Sequence, residues 1–215
     1  MATVKLTIDG QTVEVAAGST ILEAAQKAGI DIPTLCYHPD LSIKAVCRIC
    51  VVEVEGQRVL QPACAYPVSE GMRVRTNTPR VREARKTILE LMLAHHPQDC
   101  LNCARNLNCE LQELSQRLGI REISFPLVNR GLLIDELSPS VVRDPNKCIN
   151  CRRCISVCHE VQGVGMLDSI NRGFDTVVTA PFWRSLVELS CVNCGQCALV
   201  CPTGAITERD DTQLV

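Results

Sequence analysis

The sequence predicts an α+β chain built as three small modules in series. Three observations predict it. Residues 1–78 run strand, strand, helix, loop, strand, strand; residues 79–120 carry helical periodicity; and a cysteine run at Cys148 recurs at Cys191 within residues 140–215. Residues 121–139, with Pro126, Gly131 and Pro139, read as a linker. The 215 residues are 46% apolar and 21% charged, which is globular composition. A net charge of -2 offers no electrostatic case for nucleic acid or an anionic membrane. No apolar run is long enough to span a bilayer, and MATVKLTIDG alternates as a strand and not as a signal peptide. A cytoplasmic location is therefore expected.

In the first module Thr3 to Ile8 alternates, Asp9-Gly10 signals a hairpin turn and Gln11 to Val15 returns. Ser19 or Thr20 can cap a helix with Glu23 in its first turn and Gly29 at its stop. A cysteine-bearing loop follows, then a hairpin over Cys50 to Leu60 turning at Glu55-Gly56, and a short strand near Val74. That order is a β-grasp. Thr78 and Pro79 open the next helix, whose apolar stripe is Val81, Ala84, Ile88, Leu91 and His95. Leu107, Leu111, Leu114 and Leu118 mark another helix, ending at Gly119. Arg73, Arg75, Arg80, Arg82, Arg85 and Lys86, opposed only by Glu83, form either a solvated face or a docking patch for an acidic redox partner.

Fifteen cysteines are an odd number, without an export signal, which argues against a disulfide framework. Each of the four groups contains a C-x2-C step, which lets two thiolates face one metal centre. The duplicated run has the x2, x2, x3 spacing of bacterial-type 2x4Fe–4S ferredoxins, in which the fourth cysteine reaches the other cluster. Cys148, Cys151, Cys154 and Cys201 would hold one 4Fe–4S cluster; Cys191, Cys194, Cys197 and Cys158 would hold the other. Pro202 follows Cys201 as in that pattern, whereas His159 follows Cys158, a departure that touches the turn more than the ligation. Cys36, Cys47, Cys50 and Cys64 match a 2Fe–2S site in number and order, though their spacing leaves a four-cysteine zinc site open. Backbone N–H groups around Arg48 and Ile49 would face its sulfurs.

The middle group has three cysteines, Cys100, Cys103 and Cys109, and needs a fourth ligand from His95 or His96. His95 lies on the apolar stripe; His96, beside Pro97 and off it, can leave the helix. A neutral imidazole in place of a thiolate makes the site less negative and raises its potential. This assignment leaves no cysteine over and takes the formal charge to roughly -9 with clusters bound. Gly163-Val164-Gly165 lacks the third glycine of a dinucleotide fingerprint, which assigns NAD(P) to a partner.

PTLCYHPDLSIKAVCRICVVEVEG, HHPQDCLNCARNLNCELQELSQRLGI, NKCINCRRCISVCHEVQGVG and CVNCGQCALVCPTGAITERDD, in this order, resemble two relatives. One is the N-terminal electron-wiring region of iron-only hydrogenases; the other is the large iron–sulfur subunit of respiratory NADH dehydrogenase. The resemblance implies one 2Fe–2S and three 4Fe–4S clusters, with His96, Cys100, Cys103 and Cys109 holding the middle one. It implies a relay, with no catalytic site beyond the clusters, between flavin- and NAD(P)-binding subunits and ferredoxin. The host is expected to be a soluble transhydrogenase, hydrogenase or formate dehydrogenase complex, with electron bifurcation open to it. The alternative is an N-terminal fragment of an NAD(P)-linked iron-only hydrogenase catalytic subunit.

Overall fold

A computed structural model describes residues 2–212; the expected outer limits, residues 1 and 215, lie outside them. β1 (Thr3–Ile8) and β2 (Gln11–Ala16) pair antiparallel, with Thr3 opposite Ala16 and Ile8 opposite Gln11. Asp9 and Gly10 turn the hairpin with φ of 47° and 87°, the doubly left-handed turn that matches strand twist. Alternation sends Leu6, Ile8, Val13 and Val15 inward. α1 (Ile21–Lys27) begins with a capping box between Thr20 and Glu23, and Gly29 turns left-handed just past its end.

β3 (Val51–Val54), β4 (Gln61–Pro62) and β5 (Arg73–Arg75) complete a five-stranded sheet in the order β2-β1-β5-β3-β4, β5 lying parallel to β1. The second hairpin differs from expectation. Gly56 does turn the chain, at φ 83°, but the returning strand is Gln61–Pro62. Pro62 has no N–H to donate, so it takes the sheet edge.

α2 (Pro79–Ala94) starts at the expected Thr78 cap with Pro79 in its first turn. Its buried face is Val81, Arg85, Leu89, Glu90 and Ala94, while Leu91 is 44% exposed. The phase is set by Arg85, whose Nη2 donates to the Val51 carbonyl of β3 at 2.9 Å; burial lowers its pKa to about 10. Within the basic run Arg85 is buried, and carboxylates lie against three of the other cations. Arg73 pairs with Glu55, Arg80 with Glu53 and Lys86 with Glu90.

α3 (Glu110–Arg117) buries Leu111 and Leu114 and stops at Leu118 before Gly119. Leu107 stays outside it, exposed and left-handed at φ 62°, because Cys109 is where the helix begins. The segment 121–139 holds no helix, yet it is pinned: Val128 N–H donates to the Ala94 carbonyl, and Asn146 binds both backbone groups of Leu132.

In the last segment β6 (Val141–Arg143) pairs antiparallel with β9 (Ile206–Glu208). Between them lie α4 (Arg153–Ser156), a π-helical turn at Val157–Val161, a hairpin of β7 (Asp168–Ile170) and β8 (Val177–Thr179), and α5 (Gln196–Leu199). Among the described residues no helix is long and apolar enough to cross a membrane.

Candidate metal centres

Loop 36–50 wraps the first group of thiols, using left-handed residues Ala45 (φ 52°) and Arg48 (φ 60°) to reverse direction. Cys36, Cys47, Cys50 and Cys64 are all buried, and the sulfurs of Cys50 and Cys64 lie 3.4 Å apart. Hydrogen bonds from Cys47 and Cys64, with backbone N–H groups of Cys47 and Val46, push the Cys36 thiol strongly towards thiolate. The protons so shared push Cys47 and Cys64 upward. Four sulfurs competing for protons in one buried spot are a strong anionic donor set.

The second group surrounds a void of about 20 Å³ lined by His96, Cys100, Cys103, Cys109, Arg105, Lys147 and Gly204, among others. α2 delivers His96: the helix ends at Ala94, His95 caps it and Pro97 prevents its continuation. Burial, with the Lys147 charge nearby, lowers the His96 pKa to about 4, so its imidazole is neutral and free to donate a lone pair. His95 turns elsewhere, with Nδ1 3.0 Å from the Leu91 carbonyl oxygen and its ring edge-to-face on Phe174. Cys109 caps α3, so backbone N–H groups of Leu111 and Gln112 point at its sulfur against the upward push of burial. Gly204 has no room for a side chain: a Cβ there would stand 2.7 Å from the Cys103 sulfur.

The duplicated run makes two cavities. Cys148, Cys151, Cys154 and Cys201 line one of about 20 Å³; Cys158, Cys191, Cys194 and Cys197 line another of about 30 Å³. The wrapping backbone repeats as well as the cysteines: Asn150 and Arg152 are left-handed in the first copy, Asn193 and Gly195 in the second. The Asn150 N–H thereby approaches the Cys148 sulfur at 3.4 Å. Burial pushes the Cys148 thiol up to about 11 and Cys151 and Cys154 higher still. The residues fit iron–sulfur clusters by the chemistry of the donor set: each void is walled by three or four thiols, joined in the second group by His96 and the cationic Arg105 and Lys147, and in the duplicated run by apolar side chains.

Three contacts join the second group to the third. Arg153 makes a bidentate pair with Glu110, at 2.6 and 2.8 Å; Arg105 Nη2 donates to the Cys201 carbonyl; and Glu110 N–H donates to the Pro202 carbonyl. Sequence reading missed these and Gly204, because the partners lie 43 to 101 positions apart. The left-handed asparagines were findable, since asparagine is enriched in that conformation.

The family model described as a 2Fe-2S iron-sulfur cluster binding domain matches residues 1–79, and the NADH-ubiquinone oxidoreductase-G iron-sulfur binding region matches 85–124. A 4Fe-4S dicluster domain matches 147–205. A solved chain in the NAD+-reducing [NiFe]-hydrogenase in the H2-reduced state superposes with a TM-score of 0.90 at 31% identity, covering 97% of this chain and 88% of that one. The chain belongs to the iron–sulfur family of NAD(P)-linked hydrogenases and NADH oxidoreductases. It carries 2Fe–2S and 4Fe–4S binding domains. The NADP-reducing hydrogenase subunit HndD of Solidesulfovibrio fructosivorans is 51% identical over 98% of this chain. The NADH-ubiquinone oxidoreductase 75 kDa subunit of Reclinomonas americana is 39% identical over 96% of it. This iron–sulfur chain spans only 37% and 29% of those two relatives.

Proposed function

We propose that the chain is an electron relay carrying one 2Fe–2S and three 4Fe–4S clusters. Cys36, Cys47, Cys50 and Cys64 hold the first; His96, Cys100, Cys103 and Cys109 the second. Cys148, Cys151, Cys154 and Cys201 hold the third, and Cys158, Cys191, Cys194 and Cys197 the fourth, in a bacterial-type dicluster module at 140–215. The other modules are 1–78 and 79–120. When bound, such clusters each accept and release one electron at a time. The chain's own part is to hold them, keep them dry and tune them with ligand type, burial and N–H groups.

One observation carries the relay. Cys36 and Cys47 of the first group, Cys109 of the second and Cys151 of the third lie in a single apolar cluster with Leu35, Ile49, Leu89, Leu111 and Leu114. One apolar cluster thus reaches cysteines of three donor sets, the second through the half-buried Cys109, and the fourth adjoins the third through the cysteines that cross between them.

The relay serves a cytoplasmic complex in which a flavin- and NAD(P)-binding subunit exchanges electrons with ferredoxin or another redox subunit. The cluster-loaded chain alone should leave NAD+ and NADP+ unreduced under a low-potential donor, and should reduce them once the flavoprotein partner is added. Reduction by the chain alone would refute this division of labour. A second reading, a piece of a hydrogenase catalytic subunit, draws on the 51% identity to a relative nearly three times as long. A native mass near 23.6 kDa plus clusters would exclude it.

A further inference from the structure

The two copies of the duplicated run part company after their fourth cysteine, where Pro202 follows Cys201 but His159 follows Cys158. At Cys158 the helix widens into a π-helical turn, Val157–Val161, a form that concentrates at functional sites. The chain then doubles back over its own cysteine. Val164 and Gly165 N–H both donate to the Cys158 carbonyl, at 3.0 and 3.2 Å. Met166 N–H donates to the Cys158 sulfur at 3.2 Å.

His159 fastens this loop. Its Nε2 lies 3.2 Å from the Leu167 carbonyl oxygen, to which it donates when that nitrogen carries the proton. The ring lies close against Gly165: a Cβ there would stand 3.1 Å from Cε1 and 3.3 Å from Nδ1. Gly165 is also left-handed, at φ 68°, so both its backbone conformation and the close ring favour glycine. The glycines at 163 and 165, which fall short of a dinucleotide fingerprint in sequence, serve this turn.

The other copy has no such device. Cys201 is followed by a proline, and among the described residues its sulfur has one hydrogen-bonding contact, to the Thr203 hydroxyl at 3.8 Å. That hydroxyl donates to the Lys147 carbonyl at 2.9 Å.

We propose that His159 is a positioning residue that straps the 163–167 loop across Cys158, holding the Met166 N–H on its sulfur and so raising the reduction potential of the cluster Cys158 ligates. The inference rests on the ligand sets above. Its physical basis is that a hydrogen bond to a ligating sulfur favours the more negative, reduced cluster.

The test is a redox titration, followed by electron paramagnetic resonance, of the cluster-loaded full chain. The centre in question is the one lost in Cys194→Ser. His159→Ala should lower its potential so that its oxidised-to-reduced ratio at fixed poise rises about tenfold, about 59 mV for one electron. Gly165→Ala attacks the same contact from the other side and should shift the same centre in the same direction. His159→Gln keeps a donor in reach of the Leu167 carbonyl and should recover part of the loss. An unchanged potential in the alanine variants, or an equal shift of all three 4Fe–4S centres, would overturn the inference. Iron and acid-labile sulfide on the unmodified chain keep the two claims apart: a deficit there removes the ligand sets, whereas a full complement with no shift removes only the role of His159.

Discussion

In the inner half of the duplicated segment Cys151, Cys154 and Cys201 are buried; in the outer half Cys158, Cys191 and Cys197 are half-buried and Cys194 is exposed. Both halves have the same cysteine spacing and the same left-handed turns. Burial pushes three inner thiols upward, Cys148 to about 11 and two beyond it, and in the outer half it raises Cys197 to about 11. Arg143 and Arg130 beside Cys148, and Arg153 beside Cys151, offset that push without cancelling it. The comparison teaches that spacing decides which sulfurs meet, while surroundings decide what the resulting site does. The low dielectric that penalises a thiolate penalises an added electron in the same way.

The largest expected effect tests burial directly. Cys154 and Cys201 belong to the apolar cluster of the last segment, with Leu167, Leu186 and Ile206. Cys154→Ser leaves a hydroxyl in that core and should cost about 1–3 kcal/mol beyond the loss of its cluster. Cys194→Ser should cost only the cluster. Thermal melts of the two variants, cluster-loaded and cluster-free, check this; equal losses in the cluster-free state would break the comparison. Next in size, the outer 4Fe–4S centre should reduce at a higher potential than the inner one by at least about 59 mV, a tenfold difference in poise. Titration of the single-centre variants reads the order, and a reversed order contradicts it.

The smallest effect concerns the tie between the outer half and the first module. Glu160 accepts hydrogen bonds from the Ser42 N–H and hydroxyl and pairs with Lys44 at 3.1 Å. The Ser42 hydrogen bonds lower its pKa to about 2. A depressed carboxylate pKa means that the tie contributes above the usual carboxylate range and is lost as pH falls towards 2. Glu160→Gln should therefore speed amide exchange at Ser42 near neutral pH and make little difference near pH 2. Unchanged exchange near neutral pH would show that the tie holds nothing.

Local signals made much of this molecule legible in its sequence. The β1–β2 hairpin and α1 were readable because their turn and capping residues act within four positions. The grouping of cysteines was readable because each C-x2-C step fits one turn. The phase of α2 was not, since Arg85 turns inward to meet a carbonyl 34 positions away. The return strand at Gln61–Pro62 was misplaced because its register is set by β3 across the sheet and not by the turn at Gly56. The strap over Cys158 was hidden likewise: its histidine registered only as a departure from a pattern, and its glycines as an incomplete motif.

The measurement that bears most directly on the central claim is a count of centres in the purified, anaerobically loaded chain. Four donor sets made of fifteen cysteines and His96 predict about 14 iron and 14 sulfide per chain. They also predict one 2Fe–2S and three 4Fe–4S signals on stepwise reduction, with His96→Ala altering one 4Fe–4S signal and leaving the others intact. Stoichiometric zinc in the first group, or a full set of signals unaffected by His96→Ala, would contradict the account.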